Sequence, residues 1–221
     1  MMATIGLDLS LTSTGVVVLD NGVVRKLVDG TYERAARPGA MTLSSKHRGV
    51  ERLIDLSNQL GEAIGQFINM ETAAWVFGFP LAVIEGYSMG SRSGQAFSIG
   101  EWGGVARVRL RQMGIPYIVV PPSTLKKFTT GKGNAQKDEM RLHVYKKWGF
   151  EHKANDVVDA YALARFGEAY LAFKDGKDEV GGKLLTKVEF ETVQKFIKDE
   201  GKGKGRKRHS EAQIASVDPT V

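Results

Sequence analysis

The sequence predicts one mixed α/β domain followed by a C-terminal tail, and three observations carry that prediction. Three strand-like runs follow one another at the N-terminus and join through tight turns. Two later apolar runs, Leu81 to Glu85 and Ile115 to Val120, are set apart by segments of helical periodicity. After Lys174 the composition shifts, and from Glu200 onward Gly and Lys displace the apolar residues a core needs. At 221 residues, 42% hydrophobic and 25% charged, the chain can bury one full core with residues to spare.

In chain order, Ile5, Leu7 and Leu9 read as a buried strand with Asp8 in its midst. Ser10, Thr12, Ser13, Thr14 and Gly15 form a polar turn, and Val16 to Leu19 returns as a second strand. Asn21-Gly22 is a favoured hairpin turn leading into a third strand, Val23 to Val28. Asp29 to Ser45 is polar, contains Pro38-Gly39 and reads as an exposed loop. From His47 to Ile68, apolar residues such as Leu53, Leu56, Leu60 and Ile64 recur at helical spacing and predict a long amphipathic helix. Thr72 to Phe79 is a connector, and Leu81 to Glu85 is a strand that ends on a carboxylate. Gly86 to Gly94 is a loop rich in Gly and Ser, carrying Tyr87, Met89 and Arg92.

A helix from Gln95 to Met113 contains Gly100, Gly103 and Gly104. Each glycine costs a helix interior about 1 kcal/mol relative to alanine, so three imply close approach of another backbone, either the sheet or a second subunit. Ile115 to Val120 is the fifth strand, stopped by Pro121-Pro122, and Ser123 to Lys137 reads as a loop. Helices follow from about Gln136 to Trp148 and, capped by Asn155, to about Phe173. A short helix over Val188 to Ile197 precedes a tail expected to be disordered. The domains expected are therefore 1–173, an extension at 174–199 and a basic tail at 200–221. Three antiparallel strands with an acid on the first begin either a ribonuclease H-like or an actin-like fold.

Composition narrows the chemistry. With no cysteine the chain has neither disulfides nor thiolate metal sites, which suits a reducing cytosol. It shows no signal pattern and no apolar run near the ~20 residues that span a bilayer. The formal net charge of +6 favours a polyanionic partner. Basic residues gather between Lys126 and Lys153 and again from Lys202 to Arg208, where the plain alternative is a solvated face.

Four acids stand where an acid is locally unwelcome. Asp8 lies within an apolar strand, Glu85 ends one, and Asp156 and Asp159 open an otherwise apolar helix. The last two are three apart and share a helix face, where like charges repel unless a cation intervenes. Alone, Asp156 also reads as a first-turn acid on the helix dipole, and Glu85 as a salt-bridged strand end. Oxygen-only ligands favour Mg2+ or Mn2+ over Zn2+.

In four blocks over residues 4–170, the sequence resembles the RuvC-type Holliday junction resolvases of the ribonuclease H-like superfamily. Ile5-Gly6-Leu7-Asp8-Leu9-Ser10 with Thr14-Gly15 is similar to the family's opening motif, with Ser10 where glycine is usual. Val83-Ile84-Glu85-Gly86-Tyr87 resembles the second acid and its aromatic, and Thr130 to Lys137 the Gly-x-Gly-x-Ala-x-Lys loop. Asn155-Asp156-Val157-Val158-Asp159-Ala160 resembles the Asp-x-x-Asp-Ala helix.

The resemblance implies a ribonuclease H-like α/β fold, a five-stranded mixed sheet with helices on both faces. It implies a structure-selective endonuclease for branched DNA, especially four-way junctions, acting as a homodimer that makes paired nicks. Asp8, Glu85, Asp156 and Asp159 would hold two Mg2+ per active site, with Mn2+ able to substitute. Lys126 and Lys137, with Lys132, would meet DNA phosphates, and Tyr87, Met89 and Arg92 would contact the junction. The glycine-lysine tail points to a divergent, phage-encoded member working in bacterial cytoplasm. The competing readings are a broader flap or fork nuclease of the same fold, an actin-like ATPase or sugar kinase, and a non-catalytic junction-binding protein.

Overall fold

The computed structural model describes residues 3–20, 23–28, 31–34, 39–65, 68–69, 74–75, 80–87 and 95–203. The first strands are β1 (Thr4–Asp8), β2 (Thr14–Asp20), β3 (Val23–Val28), β4 (Thr31–Arg34) and β5 (Ala40–Leu43). Helix α1 (Gly49–Gly65), the short β6 (Ile68–Asn69) and β7 (Ala74–Trp75), and β8 (Leu81–Glu85) follow. Then come α2 (Gln95–Gln112), β9 (Tyr117–Val120), α3 (Pro122–Thr130), α4 (Lys137–Trp148) and α5 (Asn155–Lys174). A small hairpin, β10 (Glu179–Val180) and β11 (Lys183–Leu184), leads into α6 (Lys187–Gly203).

The main sheet runs β4-β3-β2-β1-β8-β9, with β5 also paired to β2. β1 is antiparallel to β2 and parallel to β8, and β8 is parallel to β9, so the sheet is mixed. The five expected strands are all in it. The two extra strands correct the loop expected from Asp29 to Ser45. β5 pairs with β2 from Thr14↔Leu43 to Val17↔Ala40, and β4 pairs with β3. A four-residue edge strand needs only one inward side chain, here buried Leu43, so it leaves almost no hydrophobic period to read.

Helices cover both faces, and the alternation along β1 shows why. Ile5 and Leu7 share a core with Val16 and Val18 of β2, Leu56 and Leu60 of α1, and Trp102 and Leu110 of α2. Thr4 and Gly6 turn the other way, toward α5: Thr4 Oγ1 donates to the Ala164 carbonyl at 3.0 Å, and a Cβ on Gly6 would collide with the Ala160 carbonyl. Gly6 therefore sets how close α5 lies to the sheet. α5 carries buried residues on nearly every turn, because the sheet lies on one side and α3, α4 and α6 on the others.

Two further expectations need correction. Pro121-Pro122 does stop the strand, but much of the loop expected from Ser123 to Lys137 is helix α3: Pro122 sits at the first helical position, where a missing N–H costs nothing. α3 then ends at Gly131 (φ 86°), whose N–H bonds the Lys127 carbonyl. Ala154, not Asn155, occupies the cap position of α5, and Asn155 Oδ1 instead accepts from the Arg141 guanidinium at 3.0 Å.

α6 is longer than the short helix expected at 188–197, and it adds Val193 and Phe196 to the same core as Phe128 and Phe166. The Phe196 and Phe166 rings meet edge to face at 5.2 Å. At its start, Thr186 and Glu189 exchange hydrogen bonds as a capping box. Glu189 also receives Lys147 of α4 at 3.1 Å with little solvent around either group. No described helix is long and apolar enough to cross a membrane.

Candidate active site

The four acids meet at the C-terminal ends of two interior strands of the sheet. Asp8 ends β1 and Glu85 ends β8, parallel neighbours whose register runs from Thr4↔Leu81 to Leu7↔Ile84. The two carboxylates therefore leave adjacent strands side by side. Asp8 follows Thr4 and Gly6 on the face toward α5, and the first turns of α5 bring Asp156 and Asp159 to it. The same two-residue alternation that packs α5 on β1 delivers the acid to the acids on α5.

Electrostatics report how close they are. Burial pushes the Asp8 carboxyl well above the usual carboxylate range, and the charges of Glu85, Asp159 and Asp156 push it further. Burial and the Asp159 charge raise Glu85 to about 7, against a hydrogen bond from Asp8 and the Lys126 and Lys137 charges. Asp159 rises to about 6 by burial, with Asp156 adding to it and Lys137 and Lys126 opposing. A hydrogen bond between the Asp8 and Glu85 carboxyls requires a proton shared between them.

Asp156 is fixed differently. Its Oδ2 accepts from Ser13 Oγ at 2.8 Å and from Thr42 Oγ1 at 3.1 Å. Across the sheet, Asp8 lies opposite Gly15 and Gly15 opposite Thr42, so three strands line up beneath the start of α5. A Cβ on Gly15 would strike the Asp156 carbonyl, so glycine is required for this approach. Sequence reasoning missed Ser13 and Thr42.

The donor set fits a hard divalent cation: four carboxylates, no soft ligand, partial burial and mutual repulsion. Among the described residues, no three His, Cys, Asp or Glu side chains converge as a finished metal cage. The shared proton joins Asp8 to Glu85, and Asp156 is turned toward Ser13 and Thr42, so binding a cation requires proton loss and a small regrouping of side chains.

Of the expected DNA-contacting residues, Lys126 on α3 and Lys137 at the start of α4 act directly on Glu85 and Asp159. Lys132 lies between those helices, well exposed, with Nζ 3.5 Å from Glu139 Oε1. Tyr87 packs on α2: its hydroxyl donates to the Gly100 carbonyl at 3.3 Å and abuts Gly103, and the Arg107 guanidinium stands 5.3 Å from its ring. Met89 and Arg92 lie outside the described residues.

Comparison with known proteins yields a consistent set of relatives, although no family model matches the chain. The crossover junction endodeoxyribonuclease RuvC of Chloroflexus aggregans is 32% identical over 165 residues, which cover 74% of this chain and 90% of that protein. RuvC of Roseiflexus sp. (strain RS-1) is 31% identical over 165 residues, covering 73% and 87%. Among solved structures, Thermus thermophilus RuvC superposes with a TM-score of 0.56 at 20% identity, over 80% of this chain and 98% of that one. The structure of T. thermophilus RuvC in complex with Holliday junction substrate gives the same TM-score at 19% identity, over 79% and 96%.

Proposed function

Because the chain belongs to the RuvC family of crossover junction endodeoxyribonucleases and has its ribonuclease H-like fold, we propose that it resolves four-way DNA junctions by hydrolysing phosphodiester bonds. The observation that carries this reading is the cluster of Asp8, Glu85, Asp156 and Asp159, in which burial and mutual charge raise the Asp8, Glu85 and Asp159 carboxyls and which Lys126 and Lys137 face. The four carboxylates would hold Mg2+, two ions per site, with Mn2+ able to substitute. When bound, the cations supply Lewis-acid stabilisation for in-line hydrolysis that leaves a 5′ phosphate and a 3′ hydroxyl.

The chain's own groups do the rest. Lys126 and Lys137 draw a phosphate backbone toward the acids while offsetting part of their charge. Lys132, exposed between α3 and α4, extends the same basic surface. Tyr87 is braced by α2 and stands partly exposed two residues beyond Glu85, where it can meet an opened base pair. Met89 and Arg92 belong to the same segment and are assigned the same role from sequence alone.

Paired nicks need two sites, and the outer face of α2 supports a homodimer. A Cβ on Gly100 or Gly104 would meet no atom of the described residues within 4 Å, so neither glycine is there to clear the sheet. Phe97 (82% exposed) and Val108 (57%) lie along the same stripe, and Val50 and Ile54 of neighbouring α1 add to the exposed apolar surface. We place this activity in the cytoplasm, where branched DNA arises. We take residues 1–173 as the nuclease domain, 174–199 as a C-terminal extension and 200–221 as a basic tail that tethers DNA.

The test is cleavage of synthetic four-way, three-way, flap and duplex DNA side by side with Mg2+. Four-way junctions should be cut in pairs and fastest. Asp8→Asn should reduce cutting to background while junction binding in EDTA persists. Equal cutting of flaps would favour the broader branched-DNA nuclease, and cutting by Asp8→Asn at the wild-type rate would refute the site.

A further inference from the structure

One contact ties the turn after Asp8 to a helix that carries none of the acids. Trp102 of α2 is fully buried, and its indole N–H donates to Thr14 Oγ1 at 3.0 Å. Thr14, also fully buried, accepts a second hydrogen bond from the Ser10 N–H at 3.3 Å and donates to the Ser10 carbonyl at 2.6 Å. One donor and two acceptors are all a hydroxyl has, so the network is saturated. It closes the turn that leaves Asp8 and re-enters the sheet at Thr14.

That turn is also the link between the two halves of the acid cluster. Asp8 precedes it and Gly15, opposite Asp8 in the sheet, ends it. Ser13, one residue before Thr14, donates to Asp156 Oδ2 at 2.8 Å. A shift at Thr14 therefore moves the Asp156 anchor and the β1–β2 junction together. An indole or hydroxyl needed only for filling the core would not have to form this bond. Aliphatic side chains of the same size would fill the space without leaving polar groups to satisfy.

We propose that Trp102 is a positioning residue for cleavage: through its hydrogen bond to Thr14 it holds the 8–15 turn so that Asp8 and Asp156 keep their mutual placement. The inference rests on the nuclease reading of the four acids, and it concerns a fully buried residue on a helix that carries none of them.

Thr14→Val removes the hydroxyl at nearly constant volume, Thr14→Ser keeps it, and Trp102→Phe removes the N–H donor. Single-turnover junction cleavage should fall about 10- to 100-fold in Thr14→Val and Trp102→Phe, the range that small misplacements of catalytic groups cost. Binding of Mn2+, followed by calorimetry without DNA, should weaken about tenfold in both. Junction binding in EDTA should be unchanged, Thr14→Ser should retain both functions, and the double variant Trp102→Phe/Thr14→Val should be no worse than either single one. If Trp102→Phe does not fold by circular dichroism, Thr14→Val against Thr14→Ser decides the matter.

Lower thermal stability with unaltered cleavage and Mn2+ affinity in Thr14→Val would reduce the contact to core packing and overturn the proposal. So would equal losses in Thr14→Ser and Thr14→Val. If the wild-type protein cuts no branched DNA, the nuclease reading fails, and the Mn2+ comparison still decides whether Trp102 positions the acids.

Discussion

The acid cluster should make the metal-free protein less stable as pH rises. Glu85 titrates near 7 instead of 4.5 and Asp159 near 6 instead of 3.8. Both folded-state values lie above those of the unfolded chain, so the folded protein binds more protons between them. The associated stability is present below about pH 4 and is lost as pH climbs through 6 and 7. At about 1.4 kcal/mol per pH unit, each group contributes up to about 3 kcal/mol. Asp8→Asn isolates the effect, because asparagine keeps the shape of a protonated Asp8 and cannot ionise. In EDTA at pH 8 the variant should be more stable than wild type by about 2 kcal/mol, or ~4–8 °C in melting temperature for a domain this size. Toward pH 5, as protonation of the raised carboxyls relieves the repulsion in the wild-type protein, the difference should shrink. Saturating Mg2+ should reverse the order at pH 8, since ligand binding to the folded state raises wild-type stability by mass action. Differential scanning fluorimetry across pH 5–8, with and without Mg2+, measures all three. A variant less stable than wild type at pH 8 in EDTA, or a wild-type melting temperature flat from pH 5 to 8, would refute the idea that these carboxylates strain the fold.

Two further outcomes follow from the surface. Gly104→Leu puts bulk where a Cβ would meet no described atom within 4 Å, so the fold should survive while sedimentation shifts toward monomer and paired nicks become single ones; a folded dimer that still cuts in pairs would remove α2 from the interface. Replacing Lys126 and Lys137 together with alanine should lower the log–log salt slope of junction binding by up to about two, and an unchanged slope would show that they neutralise no phosphate.

What was legible in the sequence was what conflicts locally. Asp8 was visible because a carboxylate sits badly in an apolar strand, and Asp156 and Asp159 because like charges share a helix face. Long-period elements were equally plain: the spacing of Leu53, Leu56, Leu60 and Ile64 allows little besides a helix. Where the reading failed, the local signal was ambiguous. Pro121-Pro122 stops a strand and starts a helix with the same residues, and only the burial of Leu125 and Phe128 beneath the turns that follow decides between them. Thr42 could be found only by knowing that β5 lies against β2. The Trp102–Thr14 bond joins residues 88 apart, each ordinary in its own segment, so no pattern within either points to the other.

The fold places its strained and its stabilising parts at different positions along α5. The N-terminal turns carry Asp156 and Asp159 into an acid cluster that disfavours the metal-free state. Farther along, Tyr161 stacks on Phe150 at 4.0 Å and Phe166 meets both Phe128 and Phe196 near 5 Å. Full burial of each such ring is worth about 1.5–3 kcal/mol, so a few of them match the several kcal/mol that the acids oppose. Phe196 comes from α6, which is also pinned to α4 through Lys147 and Glu189. α4 begins with Lys137 and α3, packed against α6, carries Lys126, so the C-terminal segment braces both helices that bring positive charge to the site. On this reading the residues after Phe173 do more than extend the domain. They offset the instability of a site whose carboxylates must be close enough to bind a cation and therefore too close to be comfortable without one.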